Sequence, residues 1–202
     1  MPIYNGNGVT PDSIGKLFLA NPTGFDQIGK AYYYDGITSS LIYSGELVLY
    51  ENGVTNTDVV GASWDLGKKT SSTSKITFQE NNIYFYSYHN PTADAASTWS
   101  RAVMWTRNKI DLSGYATLNM QCDPDPDNAA FGQAWIFAAP DTIPGGDNPQ
   151  LKDIPKIQGT TAGVLTLDVS SLTGEYYLGF MNTPDGSWYA SGRMYVPKIW
   201  LE

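Results

Sequence analysis

Gly163-Val-Leu-Thr-Leu-Asp-Val-Ser-Ser-Leu-Thr-Gly-Glu-Tyr-Tyr-Leu-Gly-Phe-Met181 is the stretch that decides the fold. Val164, Thr166 and Asp168 alternate with Leu165, Leu167 and Val169. A period of two sends successive side chains to opposite faces, which is strand behaviour. Ser170 to Gly174 supplies turn chemistry, and Glu175 to Met181 opens a second strand. Beyond a polar loop, Arg193 to Glu202 ends the chain on a third apolar run. Strand, turn and strand, closed by a further strand, is the grammar of an antiparallel sandwich.

The same pattern extends upstream. Strands are predicted over 46–51, 75–79, 83–89, 99–108, 115–122, 132–138, 163–169, 175–182 and 193–201. Turn signals separate them at Asn52-Gly53, Asn81-Asn82, Ser113-Gly114, Pro144-Gly145-Gly146 and Asp185-Gly186. Glu80 to Ile83 has the form of a hairpin connection. No stretch carries an apolar period of 3.6. The long Pro- and Gly-rich connection 139–162 reads as an excursion over the surface. These features predict an all-β, jelly-roll-like antiparallel β-sandwich over residues 45–202.

Residues 1–44 differ in character. They are rich in Gly, Asn and Tyr and contain an internal echo, Ile14-Gly-Lys-Leu-Phe-Leu19 against Ile28-Gly-Lys-Ala-Tyr-Tyr33. This zone reads as a short segment of small strands, which bury little by themselves. Packing on the main domain and docking onto another chain both account for it.

Composition narrows the function classes. Hydrophobic residues make up 42% of the 202, enough for a packed core. Charged residues are 16%, well under the ~25% usual in soluble domains. Aromatics reach 13%, with 14 Tyr and 6 Trp. Such a surface suits extracellular β-proteins, virion proteins and carbohydrate binders. The net charge of −8 and the 12 scattered Lys and Arg offer no cationic stripe. Nucleic acid and anionic membranes are therefore not expected partners. No apolar run approaches the ~20 residues of a membrane span. The opening residues lack the basic and apolar regions of a signal peptide.

Side chains that could carry chemistry are sparse. Cys122, the single cysteine, shares a side with Leu118 and Met120 and reads as a buried small hydrophobe. The single histidine, His89, is a loop residue at a strand end. One His and one Cys cannot furnish a zinc site. Asp123-Pro-Asp-Pro-Asp127 places three acids in five residues. Its prolines favour extended backbone and splay the acids, so it reads as a solvated acidic loop rather than a Ca²⁺ site. No carboxylate pair, nucleophile elbow or phosphate loop stands out. No catalytic residue, metal or cofactor is expected. Aromatics remain as candidate glycan or interface contacts: Tyr84, Tyr86 and Tyr88 on one strand face, and Trp188 with Tyr189 in a loop.

Three segments carry a resemblance. They are Leu49 to Trp64, Lys109 to Met120, and Val164 to Phe180 together with Pro197-Lys-Ile-Trp-Leu201. In this order they resemble β-sandwich domains encoded in phages and prophages of Gram-positive gut bacteria. The opening zone resembles the short segments that begin many phage tail and head-appendage proteins. The resemblance implies a non-enzymatic virion component, assembled in the bacterial host cytoplasm. Residues 1–44 would anchor it to other virion proteins. It would be present as a homo-oligomer or in multiple copies, with a possible host-surface glycan as partner. The sandwich shape is also that of a soluble carbohydrate-binding module, the first alternative. A glycoside hydrolase with an unrecognised site is the second.

Overall fold

The computed structural model describes residues 17–21, 24–28, 30–34, 39–66, 74–88, 101–127, 131–140, 154–184 and 191–202. The chain divides into two compact units, residues 1–47 with Glu202, and residues 48–201.

In the first unit, β1 (Leu17–Asn21) pairs antiparallel with β2 (Gly24–Ile28), and β3 (Lys30–Tyr34) with β4 (Ser39–Ser44). The internal echo thus marks the first strand of each of two hairpins.

The second unit is built from β5 (Leu47–Glu51), β6 (Val54–Thr55), β7 (Asp65–Leu66), β8 (Lys75–Phe78), β9 (Ile83–Tyr88), β10 (Ala102–Trp105) and β11 (Ile110–Asp111). There follow β12 (Thr117–Pro124), β13 (Gln133–Ala139), β14 (Lys156–Gly159), β15 (Gly163–Asp168), β16 (Glu175–Thr183), β17 (Ser191–Val196) and β18 (Lys198–Leu201). One helical turn, α1 (Thr57–Val60), interrupts them. The larger sheet runs β6-β5-β18-β12-β17-β9-β8, with β15 on β12. The smaller runs β14-β13-β16-β10-β7, with β11 on β16. Every pairing with a given register is antiparallel.

The sheets face one another, with β9 and β17 against β16, β10 against β8 and β9, and β13 against β12 and β15. The larger sheet contributes Ile83, Phe85, Leu118, Met120, Met194, Val196, Ile199 and Leu201 to the core, all fully buried. Met104, Ile136, Leu178 and Phe180 meet them from the smaller sheet. Trp64 closes an edge of this core, with its ring edge-on to Phe180 and its indole N–H donating to Thr55 Oγ1. One polar bridge crosses the layers. Ser87 Oγ donates to Asn182 Oδ1 at 2.7 Å, and Asn182 Nδ2 donates to the Phe131 carbonyl. Both side chains are fully buried, so the bonds offset a desolvation cost of a few kcal/mol.

Local expectations are met at several turns. The Gln79 N–H donates to the Asn82 carbonyl in the β8–β9 hairpin. Asp111 accepts from the Ser113 amide, and Ser113 Oγ accepts from the Gly174 amide. The structure corrects two readings. The connection 139–162 is not wholly a surface excursion, because Lys156–Gly159 forms β14 and pairs with β13. The terminal strand is not continuous either. Between the pairs Asp123↔Tyr195 and Met120↔Ile199, the terminal strand advances one residue more than β12. The extra residue sits at Pro197, which has no N–H to give the ladder. Its carbonyl accepts from the Asn52 amide instead.

Candidate functional site

The bulge at Pro197 changes the phase of the terminal strand. Before it, Ser191, Arg193 and Tyr195 are partly accessible while Gly192, Met194 and Val196 are buried. After it, Lys198 and Trp200 are partly accessible while Ile199 and Leu201 are buried. A one-residue slip would otherwise have turned the last strand's apolar side chains outward.

On β9 the alternation is just as regular. Ile83, Phe85 and Ser87 point inward, and Tyr84, Tyr86 and Tyr88 point outward. Register then assembles two rows across the outer face of the larger sheet. Thr77, Tyr84, Tyr195 and Asp123 lie side by side on β8, β9, β17 and β12. Lys75, Tyr86 and Arg193 form the next row. Tyr88 is opposite Ser191 in a third.

These groups touch one another. The Tyr84 and Tyr195 rings lie 4.9 Å apart, tilted by 32°. The Arg193 guanidinium sits 5.0 Å above the Tyr86 ring, a cation–π contact. Arg193 Nη1 approaches Asp125 Oδ2 at 3.7 Å, and the Tyr84 hydroxyl is 3.4 Å from the same oxygen. Asp125 Oδ1 accepts from the Asp127 amide at 3.0 Å. Burial raises the Tyr84 phenol above its ordinary value; Arg193 opposes the rise and Asp125 adds to it. Tyr195 is raised too, by burial and then by Asp125 and Asp127.

Beside this cluster runs a polar ladder on the outer side of β12. Asn119 Nδ2 donates to Thr117 Oγ1 at 2.8 Å, Thr166 Oγ1 donates to Asn119 Oδ1 at 2.8 Å, and Gln121 Nε2 donates to Asp123 Oδ1 at 3.2 Å. Trp200 is opposite Asn119, with Lys198 5.0 Å over its ring. The face therefore offers rings as floors and amides, hydroxyls and charges between them, all fixed by neighbours.

The structure brings Tyr84, Tyr86 and Tyr88 together on one face. Trp188 and Tyr189 lie outside the described residues, as does His89. Sequence reading missed Arg193, Tyr195 and Asp125. The first two were findable, because Ser191-Gly-Arg-Met-Tyr-Val196 alternates cleanly. Asp125 corrects the solvated-loop reading of Asp123–Asp127. It is 6% exposed and sits opposite Arg193, so burial is compensated by charge pairing. Among the described residues, no group of three His, Cys, Asp or Glu side chains is placed to hold a metal ion. Cys122 is buried beneath the face, and burial, with Asp123 adding, pushes its thiol up to about 12. A thiol so disfavoured as thiolate is a poor nucleophile.

No family model matches the chain, and no curated protein is similar to it in sequence. Solved structures similar in outline include a cleaved adhesin domain of Lys-gingipain, at 11% identity and a TM-score of 0.46, covering 78% of this chain and 99% of that one. A family 29 carbohydrate-binding module from Piromyces equi matches at 11% identity and a TM-score of 0.43, over 77% of this chain and 88% of its own. A low-affinity xylan-binding module of family 86 from the gut symbiont Roseburia intestinalis matches at 10% identity and 0.43, over 78% and 92%.

Proposed function

We propose that this chain is a non-catalytic glycan-binding sandwich domain, with the outer face of β9, β17 and β12 as its binding surface. One observation carries the reading: Tyr84, Tyr86, Tyr88 and Tyr195 share a half-accessible face, interleaved with Arg193 and Asp125. Sugar rings present apolar faces edged by hydroxyls. Tyrosine matches both, since its ring takes the stack and its hydroxyl the edge. The platform is also fixed in advance. Tyr84 is held by Tyr195 and Asp125, and Tyr86 by Arg193, so little side-chain freedom is lost on binding. This is the first alternative drawn from the sequence.

A glycan array probed with the full chain tests it. Retention of one glycan class, abolished by Tyr86→Ala, is the expected result; a blank array would sink the reading. The virion setting is a separate proposal supported by the sequence resemblance, with residues 1–44 as its anchor. Mass spectrometry of purified phage particles would detect the chain if that setting is right, and its absence would end it.

A further inference from the structure

We infer that the glycan taken by this face is acidic, a polymer carrying hexuronate carboxylates, rather than a neutral one. The inference rests on the glycan-binding reading above and deepens it. Its basis is the row Lys75, Tyr86, Arg193. Adjacent strands lie about 4.8 Å apart, so Lys75 and Arg193 stand one strand spacing from Tyr86 on its two sides, with the Arg193 guanidinium folded over the ring. A pyranose laid against Tyr86 beside the Arg193 guanidinium, which covers one face of that ring, would bring a carboxylate on its rim to one cation or the other.

Arg193 is suited to that task. Its guanidinium is planar, lies over the Tyr86 ring, and presents a fork of donors that fits a carboxylate in two-point contact. Asp125 approaches it through Nη1 alone, at 3.7 Å, longer than a direct hydrogen bond. Nε is buried without a hydrogen-bond partner, which leaves the Nη donors to meet a ligand. The counter-charge therefore orients the group without saturating it. Lys75 is exposed at the sheet edge, free of the geometric demands of packing. A neutral sugar would engage Tyr86 equally well but would leave this pair of charges without a ligand group to answer them.

The chain's charge of −8 opposes an acidic polymer at long range. At physiological salt that field decays over about 8 Å, whereas the paired cations act at contact. Asp125, almost fully buried and held against Arg193, presents little of its charge to a ligand. The local pair decides.

Calorimetric titration of the full chain tests this with matched oligosaccharides. Oligogalacturonate and oligoglucuronate would be compared with neutral xylo-, manno- and cello-oligosaccharides of equal length. An oligouronate binding about tenfold tighter than every neutral oligomer is the expected result, the size of one charge-assisted hydrogen bond. Lys75→Glu should bring that ratio to near unity or invert it. Lys75 is exposed, so the variant folds, and circular dichroism checks that it does. Neutral oligomers binding as well as uronates, or a ratio indifferent to Lys75→Glu, overturns the acidic assignment and leaves the glycan reading standing. Binding of none of these oligosaccharides overturns the acidic assignment, and a blank glycan array beside it overturns the glycan reading as well.

Discussion

The two outer faces of the sandwich are both rich in aromatic side chains, yet they use them in opposite ways. On the smaller sheet, Trp105, Phe137 and Trp135 form a stacked row, with centroids 5.7 and 6.2 Å apart. Val103, Ala139 and Met181 complete the cluster, and Trp105 and Phe137 are essentially inaccessible. On the larger sheet the rings at the candidate site remain half accessible, and Tyr84, Tyr86 and Tyr195 have an arginine, a carboxylate or a second tyrosine against them. The number of aromatic residues says nothing about which face binds. What separates them is polarity between the rings and access to their faces: one set stabilises the fold, and the other is arranged for a ligand.

Exchange of roles should therefore fail in a graded way. The largest effect belongs to Trp105→Ala, which removes a ring seated directly on Gly179. A β-carbon at Gly179 would come within 2.4 Å of that ring, so the two positions are fitted to each other. Loss of the ring should cost ~3–5 kcal/mol, read from the urea midpoint. Gly179→Ala should cost ~1–3 kcal/mol through overpacking. Tyr86→Ala should reverse the balance. Its stability cost is about 1 kcal/mol, while glycan affinity falls roughly thirtyfold, equivalent to ~2 kcal/mol. A Tyr86 variant that unfolds like Trp105→Ala while still binding would dissolve the distinction between the faces.

The contrast also explains which parts of the fold were legible. Strands with one solvent face, such as Gly163–Asp168 and Ile83–Tyr88, declare themselves by alternation. Ala102–Trp105 and Leu178–Thr183 are buried on both sides, and their continuous burial erases the period of two. The buried aromatic row on the smaller sheet was invisible for that reason. β7 and β14 were missed because two and four residues carry too little pattern. Asp125 was misread because its partner, Arg193, is distant in sequence, and only register brings them level. The bulge that keeps Trp200 outward and Ile199 inward went unread within the single strand expected over 193–201, because only the register shows the change of phase at Pro197.

Alkaline pH should weaken the fold partly through the binding face. Tyr84 and Tyr195 are held above the ordinary phenol value of 10 in the folded state, chiefly by burial. Tyr50 is raised as well, on the same sheet but away from the site. A raised phenol binds its proton more tightly when folded than when unfolded. Its contribution is thus fully present below pH 10 and is lost as pH rises through the folded-state value. Urea midpoints measured across the phenol range, from about pH 8 to about 11.5, should fall along the alkaline limb, and Tyr84→Phe should make that limb shallower. An unaltered limb in the Phe variant would remove Tyr84 from the account.

The smallest expected effect is a null one, and it separates the faces most cleanly. Cys122 lies on the inner side of β12, between Gln121 and Asp123 of the outer ladder, and is 1% exposed. With its thiol pushed up to about 12, alkylation at roughly pH 8 requires opening of the sandwich. Mass spectrometric labelling with iodoacetamide then reports the population of open molecules. Trp105→Ala should accelerate labelling by the factor its lost stability dictates, about 10²–10⁴ for ~3–5 kcal/mol. Tyr86→Ala should accelerate it by no more than about fivefold, the equivalent of ~1 kcal/mol. If both variants accelerate labelling alike, the tyrosine face is as structural as the tryptophan face, and the binding surface must be sought elsewhere on the domain.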